Sequence, residues 1–317
     1  MKMGSLVTVI IPNYNHSRYL DERITSVLNQ SYDNYEVIIL DDCSTDDSLE
    51  TIEKYRSHPK VKAIVANEQN SGSTFVQWQK GFAMAQGEYI WIAESDDYAA
   101  PEFLELIMGS MNKDKGIVLG FSSITWVNEH SEIIGDCPLV TYTRRPVSDG
   151  GYFIRHNMLY GCHILNASSA VFRKEAALRV PDAYMNFKGA GDYLFWIEIA
   201  RQGKVLKVNR NLDFFRIHSA KVTSNAVATG QQFIEVRRIY DRLKELGYIN
   251  SFHAWTVPGF WLHRINVEKQ NFKSSDIEPM VRKIWSKEVA FPGLALLMYK
   301  FDGLCRLIYK KLFCNHV

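Results

Sequence analysis

Two acidic pairs, Asp41-Asp42 and Asp96-Asp97, stand at the ends of neighbouring apolar runs and have no adjacent basic run to neutralise them. Carboxylates gathered in this way repel one another. A hard divalent ion such as Mg2+ or Mn2+ relieves that repulsion, held by one or two carboxylates together with the oxygens of a diphosphate. The plainer reading is that Asp and Ser after a strand form turns and cap helices. It is stronger for Asp41-Asp42, because Ser44 and Asp47 have the spacing of an acidic capping box. Asp96-Asp97 instead lie upstream of the point where a helix opening near Pro101 needs a cap. A third acid, Asp192, stands in Gly189-Ala190-Gly191-Asp192 ahead of the helical run YLFWIEIARQG. Its flanking glycines leave the backbone free to approach a ligand, and as a helix N-cap its carboxylate stays ionised and able to accept a proton. His218 closes Phe215-Arg216-Ile217-His218, and a lone histidine in that position reads first as structural.

The elements that position these groups follow from hydrophobic periodicity. LVTVII (6 to 11) is a β-branched run of the kind buried on both faces of a parallel sheet. Leu20, Ile24, Val27 and Leu28 then mark one stripe of a helix from Ser17 to Gln30. EVIIL (36 to 40), VKAIV (61 to 65) and YIWIA (89 to 93) predict three more strands. Between them run a helix opened by Ser44 and Asp47 and a helix carrying Phe75, Trp78, Phe82 and Ala85. The β-α-β-α-β-α-β order predicts a doubly wound, mostly parallel α/β sheet with helices on both faces and a ligand crevice at the carboxyl ends of its strands. Those ends carry Pro12-Asn13-Tyr14-Asn15, Asp41-Asp42, Asn67 with Asn70-Ser71-Gly72, and Glu94-Ser95-Asp96-Asp97. Further strand-like runs, GIVLGF, SSAVF, KVLKV and LDFFRIH, follow between about 116 and 217, and from Gly230 the pattern is helical to the end. One sheet domain over 1–225 and a C-terminal helical region over 226–317 are expected.

Composition narrows the function. The 317 residues are 46% hydrophobic and 23% charged, and 37 Lys and Arg against 35 Asp and Glu leave a formal charge of +2. Such a balance lacks the basic footprint of a nucleic-acid binder. Five scattered cysteines with no C-x-x-C pair argue against a disulfide framework and for a reducing, cytoplasmic setting. The apolar stretch Val289 to Tyr299 falls short of the ~20 residues of a membrane span. The P-loop, dinucleotide-binding, nucleophile-elbow and zincin motifs are all missing from the sequence.

Taken in order, VTVIIPNYN, YEVIILDDCSTDDS, GEYIWIAESDD, GAGDYLFW and FRIHSAKVTS resemble the inverting family 2 glycosyltransferases of the GT-A fold, over about residues 5 to 225. The resemblance implies that Tyr14 and Asp42 contact the nucleotide base, with Pro12 beside them as backbone wall. It implies that Asp96 lies near the ribose and Asp97 reaches a divalent metal, Mn2+ or Mg2+, on the donor diphosphate. Asp192 takes the place of the catalytic base, and His218 that of a histidine able to contact metal or phosphate. Where the family usually has Ala-Arg-Asn, this chain has Gln77-Trp78-Gln79. The implied reaction moves a sugar from a nucleoside diphosphate, of which uridine diphosphate is the first expectation, to a hydroxyl of a glycan or lipid-linked acceptor in cell-surface polysaccharide synthesis. A sugar nucleotidyltransferase and a non-catalytic nucleotide-sugar-binding module are the alternatives. The first would need a Gly-rich, lysine-bearing loop where Asn13-Tyr14-Asn15-His16 stands, and the second has no use for Asp192.

In the tail, Leu297, Phe301, Leu304, Ile308 and Leu312 fall on one helix face, with Lys300, Arg306, Lys310 and Lys311 around it. Two readings stand open: a helix packed on the sheet domain, and a peripheral foot on the cytoplasmic face of the membrane. The sequence also leaves room for a homo-oligomer.

Overall fold

The computed structural model describes residues 4–136, 146–217 and 222–313, with side chains described from 225 in the eighth helix and up to 303 in the last. Ten strands form one sheet: β1 (Val7–Asn13), β2 (Tyr35–Asp41), β3 (Val61–Ala66), β4 (Tyr89–Ile92), β5 (Tyr98–Ala99), β6 (Ile117–Val127), β7 (Ile133–Asp136), β8 (Val147–Asp149), β9 (Ala170–Arg173) and β10 (Lys204–Arg216). The helices are α1 (Ser17–Leu28), α2 (Ser48–Glu53), α3 (Thr74–Met84), α4 (Phe103–Met111), α5 (Gly150–Asn157), α6 (Lys174–Leu178), α7 (Gly191–Ala200), α8 (Val222–Ala228), α9 (Gln231–Glu245), α10 (His253–Glu268), α11 (Ile277–Ser286) and α12 (Pro292–Phe313).

The sheet order is β3-β2-β1-β4-β9-β6-β10-β5, with β7 on β6 and β8 on β10. β1, β2, β3 and β4 are mutually parallel, with Ile10 opposite Ile38 and Ile92. β9 is antiparallel to both β4 and β6, so β6, and β10 parallel to it, resume the first direction. The mostly parallel α/β sheet read from the sequence is thus the architecture. The β-branched runs explain it: Val7, Val9, Ile10 and Ile11 are buried, as strands covered on both faces require. Leu20, Ile24 and Val27 of α1 and Phe103, Leu104 and Ile107 of α4 pack in the same core.

Three local expectations change. Ser44 caps no helix: its hydroxyl and N–H bond to Asp41, and α2 starts at Ser48 without a side-chain cap from Asp47. KVLKV and LDFFR are one strand, because pairing with β6 continues through register shifts around the polar Asn211. Asp192 lies inside the first turn of α7 rather than at its cap.

The chain divides into two compact units. The first holds the described residues up to Gly150, His163–Met185 and those from Phe195 to 217; the second holds Gly151–Cys162, Asn186–Leu194 and the described residues from 222 on. The sequence placed one boundary after 225, whereas the chain passes between the units repeatedly. In the helical unit Trp261 and Trp285 stack with ring centroids 5.6 Å apart, and Phe233 meets Trp261 edge-on. Gly259 of α10 faces α12 so closely that a Cβ there would lie 2.1 Å from the Ala295 carbonyl oxygen. Among the described residues no helix is long and apolar enough to cross a membrane.

Candidate active site

Within the first unit the carboxyl ends of β1, β2 and β4 bring Pro12, Tyr14, Asp42, Asp96 and Asp97 to one edge of the sheet. Pro12 is buried in β1 opposite Leu40. Beyond it Asn13 donates from Nδ2 to Asp41 Oδ1 (2.7 Å), and its carbonyl accepts the Asp42 N–H (2.8 Å). Asn15 and Cys43 both have left-handed backbone, φ 55° and 63°. Asparagine tolerates that region, whereas a cysteine held there costs about 1 kcal/mol. The two turns lock together, Asn15 N–H onto Ser44 Oγ (2.9 Å) and Thr45 N–H onto Asn15 Oδ1 (2.8 Å). Between them Tyr14 keeps 46% of its surface in solvent, a ring available for stacking.

Asp42 is buried and is the hub of the β3–α3 loop. Its carboxylate accepts from Asn67 Nδ2 (2.6 Å), Ser71 Oγ (2.7 Å), the Ser71 N–H (3.0 Å) and Gln77 Nε2 (2.7 Å). Gln77, Trp78 and Gln79 therefore each hold a different neighbour: Asp42, Glu94 (3.0 Å) and the Tyr184 hydroxyl (2.8 Å). The basic group on this helix is Lys80, whose Nζ reaches Asn67 Oδ1 at 2.5 Å.

The two carboxylates of the second pair differ sharply. Asp96 is half-buried. Asp97 is 1% exposed and engaged at both oxygens: Oδ2 accepts from Asn166 Nδ2 (2.6 Å) and Ser168 Oγ (2.8 Å), and Oδ1 accepts the Arg216 N–H (2.9 Å). Burial, with Asp96 adjacent, pushes the Asp97 carboxyl up to about 6. Burial likewise pushes Glu94 up to about 8. Beneath them lies Arg23, wholly buried, donating from Nε to the Glu94 carbonyl (2.8 Å) with Nη2 3.9 Å from Asp213. Arg216 is also buried, bonded to the Asp96 carbonyl (2.7 Å) and paired with Glu22. No expectation from the sequence fell on Arg23, whose one signal is its place as a charge on the buried face of α1 between Leu20 and Val27. Asn166 and Ser168, from a distant loop, carried no signal at all.

Asp192 belongs to the second unit, and His218 lies outside the described residues. Asp192 is half-buried and accepts the Tyr193 N–H at Oδ1 (2.8 Å). Burial pushes its carboxyl up to about 6, with Glu235 adding to the rise. Glu235 of α9 has no exposure and forms no ion pair among the described residues. Its Oε1 accepts from the Lys188 N–H (2.7 Å) and Gln231 Nε2 (2.8 Å), and its Oε2 from the Gly189 and Ala190 N–H groups (2.9 Å each). Desolvating a carboxylate costs several kcal/mol. Four N–H donors to a charged acceptor, each worth about 1.5–3 kcal/mol, offset that cost. The sequence pointer to Glu235 was weak: an acid one turn before the buried Ile239 on an otherwise ordinary amphipathic helix.

Residues 8–178 match the sequence profile described as Glycosyl transferase family 2. The poly(ribitol-phosphate) beta-N-acetylglucosaminyltransferase TarP of Staphylococcus aureus is 26% identical over 86% of this chain and 83% of its own. Among solved structures, S. aureus TarS 1-349 in complex with UDP-GlcNAc superposes with a TM-score of 0.64 at 17% identity, covering 94% of this chain and 92% of that one. The mannosyltransferase PcManGT of Pyrobaculum calidifontis, in complex with GDP-Man and Mn2+, has a TM-score of 0.53 at 16% identity, covering 98% and 88%. These two likenesses concern the fold alone. With more than half of its length matching the family profile, this chain belongs to glycosyltransferase family 2.

Proposed function

We propose that the protein is an inverting glycosyltransferase that moves a sugar from a uridine diphosphate donor to a hydroxyl of a cell-surface polysaccharide or its lipid-linked precursor. The observation that carries this reading is the strand-end cluster, a buried hub at Asp42 and an acidic pair at Asp96-Asp97 on one sheet edge, in a chain of this family. The UDP-GlcNAc bound by TarS supports the donor, and the polyol-phosphate acceptor named for TarP supports the polysaccharide setting.

In this reading Tyr14 stacks on the nucleobase, Asp42 organises the loop that meets it, and Pro12 forms its wall. The oxygen-rich end of β4 fits a hard divalent cation, with one protein carboxylate and diphosphate oxygens as donors. Because Asp97 is buried and engaged by Asn166, Ser168 and Arg216, Asp96 takes the metal-facing role expected of Asp97, and Asp97 anchors the turn. When bound, the cation neutralises charge on the departing diphosphate. Asp192 accepts the proton of the acceptor hydroxyl as its oxygen attacks the anomeric carbon and the bond to the diphosphate breaks.

Exposed Leu294, Leu297 and Phe301 on α12, beside Lys300, support a peripheral contact with the cytoplasmic membrane face, where a lipid-linked acceptor would be met. The helix stripe extends through Leu304, Ile308 and Leu312, whose side chains lie outside those described. The testing experiment is a thermal-shift and product-release screen of UDP- and GDP-sugars with Mn2+ and with EDTA. A UDP-sugar should raise Tm and slowly release UDP only with the metal. No donor effect, or preference for a GDP-sugar, overturns the assignment.

A further inference from the structure

The start of α7 sets up an electrostatic conflict. A carboxylate in the first turn of a helix, Asp192 here, faces the positive end of the peptide dipoles, which stabilises its charged form and weakens it as a base. The loop ahead of it, Lys188-Gly189-Ala190, offers three successive backbone N–H groups that point away from the helix hydrogen-bond ladder. Glu235 accepts all three. Gly189 makes this approach feasible: a Cβ there would lie 2.8 Å from the Ala226 Cβ and 3.7 Å from Glu235 Oε2.

We propose that Glu235 is a positioning residue for sugar transfer, a buried carboxylate that clamps the loop 188–190 and so sets the place of Asp192. The proposal rests on the reading of Asp192 as the base. Four features carry it: complete burial, both oxygens committed, three consecutive backbone donors, and no cation paired with Glu235 among the described residues. A carboxylate retained in such a place, where an apolar side chain would pack on a helical face, is explained by what it holds. Among the described residues the surrounding groups supply no substitute. On α9, Gln231 bonds Glu235 and Arg238 stacks on the Phe187 ring at 4.3 Å. On the loop, the Lys188 side chain is exposed. On α7, Tyr193 donates its hydroxyl to the Met158 carbonyl, and α8 contributes the uncharged Ala226. After burial, the charge of Glu235 adds to the rise of the Asp192 carboxyl and so favours its protonated form.

The experiment compares full-length Glu235→Gln and Glu235→Asp with wild type. Gln keeps the reach and loses the charge; Asp keeps the charge and loses the reach. Expected are a drop in kcat of about 10- to 100-fold for both, the scale set by misplacing a catalytic group by about 1 Å, with donor KM unchanged. The acid limb of the pH–rate profile should move to lower pH for Gln and stay for Asp. A structural role alone would lower Tm and the active fraction without moving that limb. Kcat within about twofold of wild type and an unmoved limb in Glu235→Gln would overturn the proposal. Should neither variant fold, hydrogen exchange on the wild-type protein decides: slow exchange at Gly189 and Ala190 is expected, and fast exchange there overturns the clamp. Asp192→Asn is the separating control. If it transfers normally, the base reading fails; if it is dead while Glu235→Gln is normal, the clamp alone fails.

Discussion

Replacing Asp97 and Asp96 separately by alanine distinguishes a residue that holds the turn from one that faces the ligand. In Asp97→Ala the Arg216 N–H and the Ser168 hydroxyl lose their acceptor in a buried place, whereas Asn166 Nδ2 keeps Asp213 Oδ2 at 3.0 Å. Each buried donor left unmade costs about 1–3 kcal/mol. Removing a buried charge beside Asp96 and Asp213 gives part of that back. The net destabilisation is about 3 kcal/mol, which corresponds to about 6–12 °C in Tm for a domain of this size. Asp96 is half-buried, so Asp96→Ala should stay within about 1 kcal/mol of wild type. It should nonetheless lose about tenfold or more of its Mn2+-dependent donor affinity. Differential scanning fluorimetry gives the first quantity and calorimetric titration of donor with and without Mn2+ the second. An Asp97→Ala protein with wild-type Tm and selectively lost metal dependence, beside an unaffected Asp96→Ala, would refute the assignment.

Asp192→Asn should fold and bind donor normally while transfer falls about 100- to 10,000-fold, the range for removal of a general base. Because the Asp192 carboxyl is raised to about 6 and acts only when deprotonated, wild-type kcat/KM should decline as pH falls through about 6, and a flat profile from pH 5 to 8 would count against it. Asp42→Ala should release Asn67, Ser71 and Gln77 together, lowering Tm and blurring discrimination among nucleotide bases in competition assays; unchanged discrimination would leave Asp42 a purely structural hub. Leu297 and Phe301 are 63% and 64% exposed, so Leu297→Glu with Phe301→Glu should leave Tm within about 2 °C and abolish co-sedimentation with anionic vesicles. Equal sedimentation of variant and wild type would remove α12 as a membrane contact.

What the sequence determined by itself was whatever is written as local periodicity. The continuous apolar runs at 7–11, 37–40 and 89–92 are those of strands covered on both faces, so a parallel sheet and its polar strand ends follow from the sequence. Asp42, Asp96 and Asp97 were legible because they cluster just past the ends of such runs, and Asp192 because glycines precede it. Tertiary structure decided which of these acids is spent inside. Asp96 and Asp97 are adjacent and chemically identical, and what separates them is the arrival of Asn166, Ser168 and the Arg216 N–H from segments about 70 to 120 positions away. Arg23 beneath β4, and Glu235 under the loop before Asp192, carry only a weak mark, a charge on the buried face of a helix. Their partners are backbone groups or carboxylates remote in the chain, and the burial that gives those contacts their strength exists only once the chain has closed around them.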